Sequence, residues 1–172
     1  DTATTEIYTF PYTTLFRSTR FVGDTTSPNL ATFSLDLNGP VVLTFDETVL
    51  ASSFNATALV FSTGVNSTTQ VALRDGDVSQ VSTADTTQVS FVLAAAVRDQ
   101  LKAQGICTKL GNGGDCYLTL TDSLVTDMAG NSITPVGSAV AHGADAYTAD
   151  NVKPTLLPAG FVSFSLNTGR LV

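Results

Sequence analysis

The sequence has no tryptophan, one histidine and one methionine, and only 13% of its residues are charged. Each shortage excludes something. Eight Lys+Arg stand against fifteen Asp+Glu and form no cluster, so neither a nucleic-acid backbone nor an anionic membrane surface is an expected partner. No run approaches the ~18 apolar residues that a membrane-spanning helix needs, and no membrane insertion is expected. Catalysis needs a proton carrier or nucleophile in a shaped pocket. The only imidazole is His142, within Ala139-Val140-Ala141-His142-Gly143, and no Gly-x-Ser-x-Gly elbow accompanies it. Glutamate occurs only at Glu6 and Glu47, and nothing nominates an aspartate to complete a glycosidase pair. Phosphate-gripping Gly-x-x-x-x-Gly-Lys and metal motifs built from His and Cys are missing too. His142 therefore reads as a structural or surface residue, and the chain as a non-enzyme without a cofactor.

What is present is a chain of 172 residues and 17.9 kDa, 43% hydrophobic, with net charge −7 and abundant Ser and Thr. That composition describes a soluble, extracellular β-domain with a polar, weakly ionised surface, and it names no ligand. The chain opens at Asp1 and stops inside an apolar run, Gly169-Arg170-Leu171-Val172, as expected of a window on a longer polypeptide. The body alternates with period 2. Phe33, Leu35 and Leu37 define one face, Asn38-Gly39-Pro40 turns the chain, and Val41, Leu43 and Phe45 continue that face. Further strands are predicted near 57–61, 70–74, 87–93, 116–121 and 138–148. Leu93, Val97 and Leu101 lie four apart in an Ala-rich run ending at Gly105, which predicts one short helix near 93–104 with a glycine C-cap. The expected fold is all-β, an antiparallel β-sandwich of about seven strands with that helix at one end.

The chain also repeats itself. Asp24-Thr-Thr-Ser-Pro28-Asn-Leu30 matches Asp150-Asn-Val-Lys-Pro154-Thr-Leu156, 126 residues later. Phe33-Ser34-Leu35 then matches Phe164-Ser165-Leu166, and each copy goes on to Asn and Gly. Long-period self-similarity is the mark of a tandem array. Three segments are expected: 1–23, a poorly ordered or artefactual N-terminal segment; 24–149, one complete unit; and 150–172, the linker and first strand of a truncated next one. In that last segment Phe164 and Leu166 lack a core of their own, and strand donation to a neighbouring molecule is one consequence.

Three motifs carry a resemblance. Phe45-Asp46-Glu47-Thr48-Val49 is similar to the F-S-E-x-V strand end of bacterial-type Ig-like repeats, and Val125-Thr126-Asp127-Met128-Ala129-Gly130-Asn131 to their V-x-D-x-A-G-N segment. Asp24 to Pro28 resembles the D-T-T-x-P linker between copies. Together they resemble the SbsA-like Ig-like repeats of surface-layer proteins and of large adhesins. The resemblance implies an Ig-like sandwich acting as a spacer or adhesive unit at the cell surface, with neighbouring Ig-like repeats as partners and no catalytic residues. The run Ile7-Tyr8-Thr9-Phe10-Pro11-Tyr12-Thr13-Thr14-Leu15-Phe16-Arg17-Ser18 does not fit the unit and resembles translated sequencing-adapter sequence.

Candidate sites are few. Cys107 and Cys116 bracket a loop with three glycines, and a local disulfide in an oxidising compartment is the favoured reading over a zinc half-site or two reduced thiols. Asn55-Ala-Thr57 and Asn66-Ser-Thr68 are glycosylation sequons, relevant only in a eukaryotic source. Asp24, Asp127 and Asp150 sit at a turn or at repeat junctions, where they either hold a calcium ion that stiffens the array or cap turns through backbone amides. Three functions stay open. The first is a structural spacer of a tandem surface or secreted protein. The second is a module binding a cell-surface protein or glycan through loops 62–69 and 111–114, with Tyr117 and Tyr147 for stacking. The third is an accessory domain of a secreted enzyme.

Overall fold

A computed structural model describes residues 22–109, 114–150 and 153, and the backbone of 164–165 and 170–171. The adapter-like run and most of the glycine-rich 111–114 loop lie outside the described residues.

The fold starts from one hairpin. In β1 (Leu30–Asp36) and β2 (Pro40–Val49) alternation puts Phe33, Leu35, Val41, Leu43 and Phe45 on one buried face, and Leu37 joins them from the turn. Register follows from that face, because a one-residue slip would expose all of it. Asp36 shapes the turn by accepting the Asn38 N–H on Oδ1 at 2.8 Å. A Cβ on Gly39 would stand 2.7 Å from Asp36 Oδ2, so the position favours glycine for space rather than for backbone angle.

Seven more short strands complete two sheets: β3 (Leu59–Ser62), β4 (Gln70–Ala72), β5 (Val78–Ser79), β6 (Thr86–Leu93), β7 (Tyr117–Leu120), β8 (His142–Gly143) and β9 (Ala146–Thr148). One sheet runs β5-β6-β2-β1-β9 and the other β4-β3-β7-β8. Their inner faces share one core, in which Phe33, Phe61 and Phe91 are completely buried. Burying a phenylalanine stabilises by roughly 1.5–3 kcal/mol relative to leaving it exposed. The fold is thus an all-β sandwich with more, shorter strands than the expected seven.

Two features depart from expectation. The predicted strand over 138–148 is broken by a 3-10 turn at Ser138–Val140 and by a crossover, since β8 belongs to one sheet and β9 to the other. The second departure decides the shape: β9 pairs with β1 in parallel, Ser34 opposite Ala146 and Asp36 opposite Thr148, although every other pairing among the described residues is antiparallel. Asp145 makes the start of this pairing, accepting the Phe33 N–H on Oδ2 at 2.9 Å while its own N–H bonds the Phe33 carbonyl at 2.9 Å. Because the first and last strands of the unit run side by side in one direction, the chain enters at one pole and leaves at the other.

Helix α1 (Ala95–Ala103) follows β6 and covers the exit pole. Leu93, Val97 and Leu101 are buried beneath it, and Arg98 Nη1 donates to the Leu37 carbonyl at 3.0 Å. Gly105 ends the helix at φ +67. Its N–H bonds the Lys102 carbonyl and the Ile106 N–H bonds the Leu101 carbonyl, the paired pattern of a Schellman cap. Beyond the unit, β10 (Phe164–Ser165) and β11 (Arg170–Leu171) form a small antiparallel hairpin. Among the described residues no helix is long and apolar enough to cross a membrane.

Candidate functional site

The site with the greatest convergence of charge is at the entrance pole. It is built on the turn Thr126–Ser132, whose ends bridge each other while Asp127 bridges Val49 of β2. Gly130 at φ +92 supplies a conformation that L residues rarely adopt. Asp127, 2% exposed, organises the rest. Its Oδ1 accepts the N–H groups of Ala129 and Asn131, both at 2.8 Å, and its Oδ2 accepts from Asn131 Nδ2 at 2.7 Å. Burial pushes the Asp127 pKa up, but the hydrogen bonds from Asn131, Ala129 and Gly130 outweigh it and hold the carboxyl below the usual range.

Asn131 reaches further. Its Nδ2 also donates to the Asp24 backbone carbonyl at 3.2 Å, tying the incoming linker to the turn. Asp24 in turn accepts the Thr26 N–H at 2.9 Å. Glu47 comes in from the end of β2, where the register slips between Thr44 and Val49. One carboxylate oxygen from each of Asp24, Glu47 and Asp127 lies within 4.8 Å of the other two. The Glu47 pKa is raised, first by desolvation and then by the charges of Asp127, Asp24 and Asp46. Asp46 stands apart, because the N–H and side-chain amide of Asn29 both donate to it at 2.8 Å and lower its pKa. Exposed Val22 and Met128 flank the three carboxylates in an open depression.

Chemically this pole attracts a positive charge. A calcium ion takes six to eight oxygens. Here one oxygen of Asp127 is committed to two N–H donors and the other to one.

The expected set Asp24, Asp127 and Asp150 does not assemble. Asp150 lies at the exit pole, where its Oδ2 accepts from Lys102 Nζ at 2.8 Å. The sequence alone did not show that Asp24 and Asp150 lie at opposite ends of the sandwich. Glu47, not Asp150, completes the cluster.

The remaining candidates are placed as follows. Cys107 and Cys116 form a disulfide. The loop it closes is also held by Asp115, which accepts the Thr108 and Lys109 N–H groups at 2.7 and 2.9 Å and the Thr108 hydroxyl. Asn55 is half-buried and its Oδ1 accepts the Thr57 N–H and hydroxyl, capping a 3-10 turn at Ala56–Ala58. Asn66 is exposed in a left-handed conformation, its N–H on the Ser138 carbonyl at 2.9 Å. His142 pairs with Asp145 at 3.2 Å. Tyr117 is half-buried with its ring against Gly143, and Tyr147 packs against the core. Lys102 drew no notice in the sequence, since one lysine on a helix face carries no signature. Comparison of the chain with protein-family models, with curated proteins and with solved structures found no match.

Proposed function

We propose that residues 24–149 are a non-catalytic spacer, one unit of a tandem array of Ig-like repeats in an extracellular or cell-surface protein. The observation that carries this reading is the parallel pairing of β1 with β9, which sends the linkers in and out at opposite poles. Joined through such poles, units extend end to end rather than folding back. The match of Asp24-x-x-x-Pro28-x-Leu30 with Asp150-x-x-x-Pro154-x-Leu156 supplies the joint, and a proline in each linker removes backbone freedom there. The Cys107–Cys116 disulfide suits an oxidising compartment.

The test is a two-unit chain in which residues 24–149 are duplicated in frame, so that the second Asp24 takes the place of Asp150. Small-angle X-ray scattering is expected to give a maximum dimension lengthened by about one unit. A compact particle with the units side by side would overturn the reading.

A further inference from the structure

Since the sequence equates Asp24 with Asp150, the two ends of this chain display the two halves of one junction. Asp150 shows what the linker aspartate meets on the unit it leaves: Lys102 Nζ at 2.8 Å, beside Asp99 at 3.3 Å. Asp24 shows what it meets on the unit it enters: its backbone carbonyl on Asn131, and its carboxylate within 4.8 Å of those of Glu47 and Asp127. Asp150 meets Lys102 through its Oδ2, whereas Asp24 gives its backbone carbonyl to Asn131 and its Oδ1 to the Thr26 N–H.

We propose that Lys102 is a junction latch, its ammonium pairing with the linker aspartate of the next unit and serving as the counter-charge of that unit's Asp24–Glu47–Asp127 cluster. The occupant of the acidic pole is thus the α1 end of a second copy of this unit, an assignment that rests on the array reading above.

Three observations support the latch. The cluster gathers carboxylates of one sign at close range, which is unfavourable until a cation arrives, and desolvation together with the neighbouring charges raises the Glu47 pKa. Lys102 stands one hydrogen bond from the linker carboxylate, so the joint brings the ammonium to the cluster without any search. A lone exposed ion pair would be weak, yet this one closes a linker held at the two residues before it. The Leu37 N–H bonds the Thr148 carbonyl at 3.1 Å and Asn38 Nδ2 bonds the Ala149 carbonyl at 3.2 Å. Residues 148, 149 and 150 are therefore each tied to the exit pole, and the next unit starts from a fixed direction. Docking would also cover Met128, which is 59% exposed.

The experiment uses the same two-unit chain with one spin label in each unit and pulsed EPR distances. A narrow inter-unit distribution is expected. Lys102→Ala in the first unit should broaden it while circular dichroism stays unchanged, alanine being a good helix former at an exposed position. Placing Lys102→Asp in the first unit and Asp24→Lys in the second should restore the narrow population. An extended two-unit chain whose distribution ignores Lys102→Ala overturns the latch and leaves the spacer reading standing, whereas a side-by-side pair overturns both. If millimolar calcium narrows the distribution and EDTA broadens it to the same degree with and without Lys102, the cation is a metal ion and the latch is wrong.

Discussion

Reducing the Cys107–Cys116 bond perturbs a loop that the native state closes twice over. The bond joins residues nine apart. In the chain-entropy description, cross-linking a loop of that length removes about 9 cal/mol/K from the unfolded ensemble, worth about 2.6 kcal/mol at 25 °C. In the folded state the Cys107 N–H bonds the Asp115 carbonyl at 2.9 Å and Asp115 takes the Thr108 and Lys109 amides. Sulfur is not needed to keep the native loop closed. Reduction should therefore act on the unfolded chain and leave the native structure in place. With a guanidinium m-value of about 4 kcal/mol/M, the midpoint should fall by about 0.6 M. Paired guanidinium titrations with and without a phosphine reductant measure this, and hydrogen exchange at Thr108 and Lys109 reports on the loop. A midpoint unmoved by reduction refutes the entropic reasoning. Loss of amide protection under native conditions refutes the claim that Asp115 closes the loop alone.

Stability should peak in mildly acidic solution. Glu47 has a folded pKa above its ordinary 4.5, so its charge opposes folding at neutral pH and that penalty fades as pH falls through the folded pKa. Asp115 goes the other way. Burial raises its pKa, but the hydrogen bonds from Thr108 and Lys109 outweigh it and hold it below 3.8, so its contribution is present above that value and is lost on further acidification. Melting temperatures from pH 7 to 3 should rise and then fall, with Glu47→Gln raising stability at pH 7 and flattening the rising limb. A wild-type profile that falls monotonically from pH 7 contradicts the assignment. At the first turn, Gly39→Ala should cost about 1 kcal/mol, because its Cβ would stand 2.7 Å from Asp36 Oδ2. In an Asp36→Ala background the same change should cost much less, and equal costs in a double-mutant cycle of urea unfolding would show that the crowding lies elsewhere.

Elements governed by short-range periodicity were legible in the sequence. Phe33, Leu35, Leu37, Val41, Leu43 and Phe45 are all buried because period 2 fixes which side of a strand faces the core. The helix was legible because Val97 and Leu101 lie four apart on one face and Gly105 can adopt the left-handed cap, although Leu93, grouped with them in the sequence, ends β6 and the helix starts only at Ala95. The parallel β1–β9 pairing was not, since it depends on where β9 arrives after crossing between sheets, and a three-residue strand has too little pattern to announce a partner. Nor did the sequence show that Asp24 and Asp150 lie at opposite ends of the sandwich, where Asp150 meets Lys102. Glu47 did carry a signal: residues 41, 43, 45 and 49 are buried, so a glutamate at 47 falls on the inward parity of β2. A charged residue at such a position can be accommodated at the mouth of the sandwich, where β2 slips register, and there it meets Asp127.

In an array of the kind proposed above, extension along the axis would pull Asp24 and Asp150 apart. The strands joined to those linkers, β1 and β9, are nearest neighbours and parallel, so tension meets their ladder in shear and its hydrogen bonds must yield together rather than one after another. Asp145 strengthens that ladder at its start, binding Phe33 through both its side chain and its backbone. The disulfide lies between α1 and β7, within the chain that joins β1 to β9 but outside the β1–β9 ladder itself. Thermodynamic stability and resistance to force are accordingly lodged in different parts of the unit: cross-linking 107–116 constrains the unfolded chain, whereas resistance along the axis is set by a few backbone bonds between residues 33–37 and 145–148. A spacer of the kind proposed above would hold its length through strand arrangement rather than through covalent closure.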